Sequence, residues 1–153
     1  DRLPQGDPMK ERDFREAIMI LALYAKTAPT LPVPRYTLAA LYYKLGNATM
    51  AKKWADEAYP LYTMPDTAAA GPAVKYYLAI GDWQHAARFL ADIVAENPSN
   101  YDTLYDLAKV TYLAGDPAAA LRIVEKLRKE NPALLETDQN FLNAITTYEQ
   151  SKK

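Results

Sequence analysis

The chain has 153 residues, 50% of them hydrophobic and 24% charged, with 18 Lys and Arg against 19 Asp and Glu and a formal net charge of −1. That is the make-up of a folded domain rather than of a disordered, collagenous or membrane-embedded chain, and a chain this long buries enough surface to need no covalent staples. There is no Cys, a single His (His85), and Ser only at Ser99 and Ser151. Disulfides, thiolate metal sites and Cys nucleophiles are therefore excluded, and the partners for a hydrolase triad or a zinc centre are missing, so no catalytic residue, metal ligand or cofactor is expected.

A nucleic-acid binder carries a basic surplus, which this chain lacks, so no nucleic-acid partner is expected. The sequence begins with Asp1 and shows no signal-peptide pattern, so it reads as a mature form or a segment of a longer protein. Cytoplasm and bacterial periplasm both suit a cysteine-free chain, as does tethering through an upstream segment.

The first strong element is the apolar run Ala17 to Ala25, far shorter than the roughly 20 residues that cross a bilayer. No transmembrane segment is expected, and the run reads as a helix apolar nearly all round, which wants cover on two sides. Residues 1–12, with Pro4, Gly6 and Pro8, bring little apolar area. The expected cover is a preceding helix or domain, or a second copy of the chain.

After this helix the elements recur on a ruler. Gly46, Gly81 and Gly115 are 35 and 34 residues apart, and a fixed spacing in this range marks a repeat architecture. Seven residues before each glycine stand Ala39, Val74 and Ala108; five after stand Ala51, Ala86 and Ala120. Leu38, Leu41, Tyr42 and Leu45 recur at helical steps up to the first glycine, which then sits where a left-handed C-cap is wanted. Asn47, Asp82 and Asp116 follow as N-caps of a second helix, Pro117 takes the first helical position, and Pro98 and Pro132, each preceded by Asn, end a unit. The small residues let two antiparallel helices approach closely. Between Pro60 and Pro72 the frame is disturbed: Pro60 should shorten a second helix, and Gly71-Pro72 should interrupt the following first helix. Downstream, Thr137 to Gln150 reads as one more helix, apolar along Phe141, Leu142, Ile145 and Tyr148 and polar along Asp138, Asn140, Asn143, Thr146 and Thr147, as a solvent-facing cap requires.

This pattern resembles the tetratricopeptide repeat, a 34-residue helix-turn-helix. The resemblance implies an all-α fold, a right-handed superhelix of antiparallel helix pairs, divided as a partial repeat (1–31), three repeats (32–66, 67–100 and 101–134) and a capping helix (135–153) within one domain. It also makes Asp13-Phe14-Arg15-Glu16-Ala17 look like the turn of an earlier repeat, with Arg12 in the glycine's place. The aromatic that the family carries early in each first helix is replaced by Arg35, Ala70 and Leu104.

The resemblance further implies a concave groove lined by the first helices, with ligand-facing positions ten, six, three and two before each turn glycine. Those positions supply Tyr36, Tyr43, Lys44, Lys75, Tyr105, Lys109 and Tyr112. Tyrosine offers apolar area and a hydroxyl at low entropic cost, and lysine a partner for carboxylates. The asparagine needed for the chaperone-tail carboxylate clamp is Ala40, so that chemistry is disfavoured. The expected function is a non-enzymatic scaffold binding a peptide or protein segment. The second expectation is an accessory spacer or oligomerisation domain of a larger enzyme or membrane protein, as many bacterial proteins carry, with self-association or an upstream domain engaging Ala17 to Ala25. His85 reads as a surface histidine, and Trp54 and Trp83 as packing residues.

Overall fold

The computed structural model describes residues 8–153, and every regular element among them is helical. The chain divides after Ile80 into two compact units. The first holds α1 (Pro8–Thr27), α2 (Val33–Lys44), α3 (Ala48–Ala58), a 3-10 turn (Tyr59–Leu61) and α4 (Thr67–Ile80). The second holds α5 (Trp83–Glu96), α6 (Tyr101–Leu113), α7 (Pro117–Glu130), the short α8 (Pro132–Leu135) and α9 (Gln139–Gln150).

The turn glycines do what their spacing predicts. Gly46, Gly81 and Gly115 have φ of 79°, 74° and 92°, and no other residue type adopts positive φ among the described residues. At Gly46 the backbone closes a Schellman pair: Gly46 N donates to the Tyr43 carbonyl and Asn47 N to the Tyr42 carbonyl, both at 2.9 Å. Gly115 and Asp116 repeat it on Tyr112 and Thr111. The next helix then starts at once, because the Asn47, Asp82 and Asp116 side chains accept from the backbone N–H of Met50, His85 and Ala119.

In the first unit α2 packs on both α3 and α4. Ala39, Ala51, Ala55, Ala58, Ala69, Ala70 and Ala73 are all buried there, so backbones approach closely around the larger Tyr36 and Leu38. Pro60 ends α3 early, leaving 11 residues where α5 and α7 have 14. The second unit closes on Leu104, Ala108, Ala120, Val124, Leu127, Leu135, Phe141 and Ile145, so the capping helix α9 contributes two of its own residues to that core.

Two expectations are corrected. No turn exists at Arg12-Asp13: α1 is one helix from Pro8 to Thr27. Arginine cannot take the left-handed conformation cheaply, and the Glu11–Arg15 pair at 2.7 Å, four residues apart, supports a continuous helix instead. Nor does Gly71-Pro72 break a helix, since α4 runs through Pro72. The clash between a proline ring and the preceding residue involves that residue's Cβ, which Gly71 lacks, and Pro72 sits early enough to disturb only the helix's first turns. Residues 1–7, which include Pro4 and Gly6, lie outside the described residues.

Candidate functional site: the first-helix faces

Arg35, in the place where the repeat pattern carries an aromatic, anchors the entry to the first unit. Only 9% exposed, its guanidinium donates from Nη2 to the Ala25 carbonyl (3.0 Å) and from Nη1 to the Leu31 (3.0 Å) and Ala28 (3.3 Å) carbonyls. Its Nε lies 3.8 Å from Glu57. A helix leaves its last carbonyls without intrahelical partners, and Arg35 satisfies those around the end of α1 while a carboxylate balances its charge. The end of α1 and the turn after it are thus tied to α2 by a polar clamp.

On the α2–α4 side of this unit, four tyrosines form an edge-to-face series: Tyr36 against Tyr77 (centroids 6.1 Å), Tyr77 against Tyr76 (5.2 Å) and Tyr76 against Tyr43 (6.2 Å). Tyr36 is fully buried. It stands between α2 and α4 as packing and does not face a ligand, contrary to its place in the expected groove set; the small residues around it let α4 close over its ring. Tyr43 is half-buried, and its hydroxyl donates to the Ala79 carbonyl at 3.0 Å, in the last turn of α4. Lys44 is exposed, with its ammonium 5.6 Å from the Phe14 ring centre. Lys75 is exposed and makes no ion pair among the described residues.

The second unit brings the other three expected residues together on one target. Lys109 Nζ lies 2.6 Å from Asp138 Oδ2, and the Tyr105 hydroxyl donates to the same oxygen at 3.0 Å. The other carboxylate oxygen accepts from Phe141 N at 3.0 Å, so Asp138 is also the N-cap of α9. One helical turn on, Phe141 inserts between Tyr105 and Tyr112, with ring centroids 5.9 and 6.0 Å away in edge-to-face contact. The Lys109 ammonium, the Phe141 N–H and the Tyr105 hydroxyl hold the Asp138 carboxyl down at about 2. Burial first, and then the bond to Asp138, push the Tyr105 phenol up to about 12. Asp106 is raised by burial and by Asp102 one turn away, with Lys109 pulling the other way.

The sequence pattern missed Arg35 and Asp138. Asp138 had a readable signal, an acid three residues before Phe141 at the start of a helical pattern, but only the fold shows what its second oxygen meets. His85 is drawn into local work: its Nδ1 is 2.7 Å from Asp82 Oδ2, while Asp82 Oδ1 caps α5 through the His85 N–H. Among the described residues no cluster of His, Asp and Glu could hold a metal ion, and no helix is long and apolar enough to cross a membrane.

Packed helix pairs joined at left-handed glycines, α2 with α3 at Gly46 and α6 with α7 at Gly115, and a glycine frame of 34 to 35 residues define an all-α helical repeat protein. Residues 77–136 match the family model described as Tetratricopeptide repeat. No curated protein matches the chain. Tetratricopeptide repeats generally mediate protein–protein interactions, as non-enzymatic scaffolds.

Proposed function

We propose that this chain is a non-enzymatic interaction module that seats a peptide or protein segment on its first-helix faces. The observation that carries the reading is the grip on α9: Lys109 and Tyr105 take a carboxylate while Tyr105 and Tyr112 flank an aromatic ring three residues further on. This surface chemistry therefore suits an acidic residue followed, one helical turn later, by an aromatic. In the first unit Lys75 occupies the same repeat position as Lys109, six residues before its turn glycine, and is exposed. With exposed Lys44 and half-buried Tyr43, it is the part of the expected set still open to a ligand.

The test is binding of a peptide array carrying Asp or Glu three residues before Phe, Tyr or Trp. The paired substitution Lys44→Glu and Lys75→Glu should weaken the best binder about tenfold, with helicity unchanged and the wild-type affinity falling as salt rises. Equal affinity of wild type and variant sinks the assignment.

A second reading, a spacer or oligomerisation domain of a larger protein, is favoured by α1. Met19, Ile20 and Leu23 on its outer side are 73%, 62% and 63% exposed, an apolar stripe of the kind that marks a contact surface.

A further inference from the structure

The outer stripe of α1 has an order that goes beyond its being apolar. Arg12, Glu16, Met19, Leu23 and Lys26 follow one another at steps of four, three, four and three residues, which is the seam spacing of a coiled coil. The opposite stripe, Phe14, Ile18, Leu21 and Ala25, is the less exposed one, consistent with α1 packing on α2. Glu16 and Lys26 are exposed, and neither makes an ion pair among the described residues. From Glu16 onward the stripe reads acid, two large apolar residues, base, and these four are set symmetrically about Leu21, with Arg12 beyond them toward the start of α1.

Resting on the self-association reading above, we propose that two copies of this chain pair through α1, antiparallel and centred on Leu21. In that register Met19 meets the partner's Leu23, and Glu16 meets the partner's Lys26, each contact occurring twice by two-fold symmetry. Layers of the two seam positions then alternate as antiparallel pairing of helices requires. A parallel pair would instead set Glu16 on Glu16 and Lys26 on Lys26, so the charges select the orientation. An unrelated partner helix has no need of this symmetry: opposite charges equidistant from a shared apolar centre are complementary to themselves. Exposed ion pairs add little affinity, and one short helix contact buries less than a stable interface of standard size. The dimer is accordingly weak and concentration-dependent.

Sedimentation equilibrium from micromolar to millimolar protein at low salt tests this, with circular dichroism to confirm unchanged helicity. The mass should climb from 17.2 kDa toward twice that value. Glu16→Lys or Lys26→Glu alone should weaken association about tenfold, and an equimolar mixture of the two single variants, or the double variant Glu16→Lys with Lys26→Glu, should restore it. A mass of 17.2 kDa at every concentration overturns both self-association and the register. Association that ignores the charge swap, or is not restored by it, overturns the register while leaving self-association standing.

Discussion

Lys109 Nζ and Asp138 Oδ2 lie 2.6 Å apart across 29 residues of sequence, and that contact ties a residue expected to meet a ligand to the chain's own last helix. Asp138 closes α9 by capping it and docks α9 on α6 through its other oxygen. Removing the carboxylate should therefore act twice. Asp138→Ala loses both functions and should lower the melting temperature by several degrees. Asp138→Asn keeps a capping oxygen but gives up the charge, so it should fall between Ala and wild type. If Asn and Ala behave alike in thermal unfolding, the cap is not a separate contribution.

The same contact sets a pH signature at both ends of the scale. The Asp138 carboxyl sits at about 2 in the folded chain against an ordinary 3.8. A lowered value means stability that is fully present above the ordinary carboxylate range and is lost as pH falls toward 2. The melting-temperature gap between wild type and Asp138→Asn should therefore be constant near neutrality and shrink below pH 4. The Tyr105 phenol is pushed up to about 12 from 10.0, so its contribution is complete below pH 10 and lost as pH rises toward 12. Ultraviolet titration should find the highest-titrating tyrosine missing from Tyr105→Phe, and an unchanged titration curve would refute the contact.

Arg35 supports a prediction in the first unit. Its three carbonyl acceptors belong to the end of α1 and the turn that follows. Arg35→Met keeps the stem's packing but strands those carbonyls, and should cost about 3 kcal/mol in urea unfolding. Arg35→Lys, with a compact ammonium in place of a planar fork, should recover less than half of that. Hydrogen exchange should quicken in the last turn of α1 before it does in α3. A loss below about 0.5 kcal/mol for the Met variant, the range of ordinary surface changes, would mean that Arg35 is not a clamp.

These residues also mark where the sequence was legible. Turn glycines and their following caps act within six residues of chain, so spacing alone located Gly46, Gly81 and Gly115 and the helices on either side. Arg35 and Asp138 act on partners that only folding brings near: Glu57 is 22 positions from Arg35, and Lys109 is 29 from Asp138. Tyr36 fell into the expected groove because the repeat frame fixes a helical position but not how far the neighbouring helix closes over it. Extended upstream, the repeat frame predicts a turn at Asp13 to Ala17, but Arg12 stands where the glycine that makes such a turn is needed, and the chain stays helical there.

The glycines and Pro72 give opposite signs under the same substitution. At Gly46 and Gly115 an added Cβ meets nothing within 4 Å, so the cost of Gly→Ala is purely that of holding an L-residue at positive φ. That should be about 1–2 kcal/mol at each site, and Asn, which tolerates this region better, should lose less than Ala. Pro72, inside α4, has no N–H to offer the Ala68 carbonyl one turn back. Pro72→Ala restores that bond and removes the ring's clash, and should raise stability by about 1 kcal/mol or more. The ring also restricts the unfolded chain, which offsets part of the gain but is worth less than the helix hydrogen bond and the relieved clash together. Denaturant unfolding of the three alanine variants should thus move Gly46→Ala and Gly115→Ala to lower midpoints and Pro72→Ala to a higher one. A drop for Pro72→Ala would show that the proline ring contributes more to the folded chain than the missing helix hydrogen bond costs.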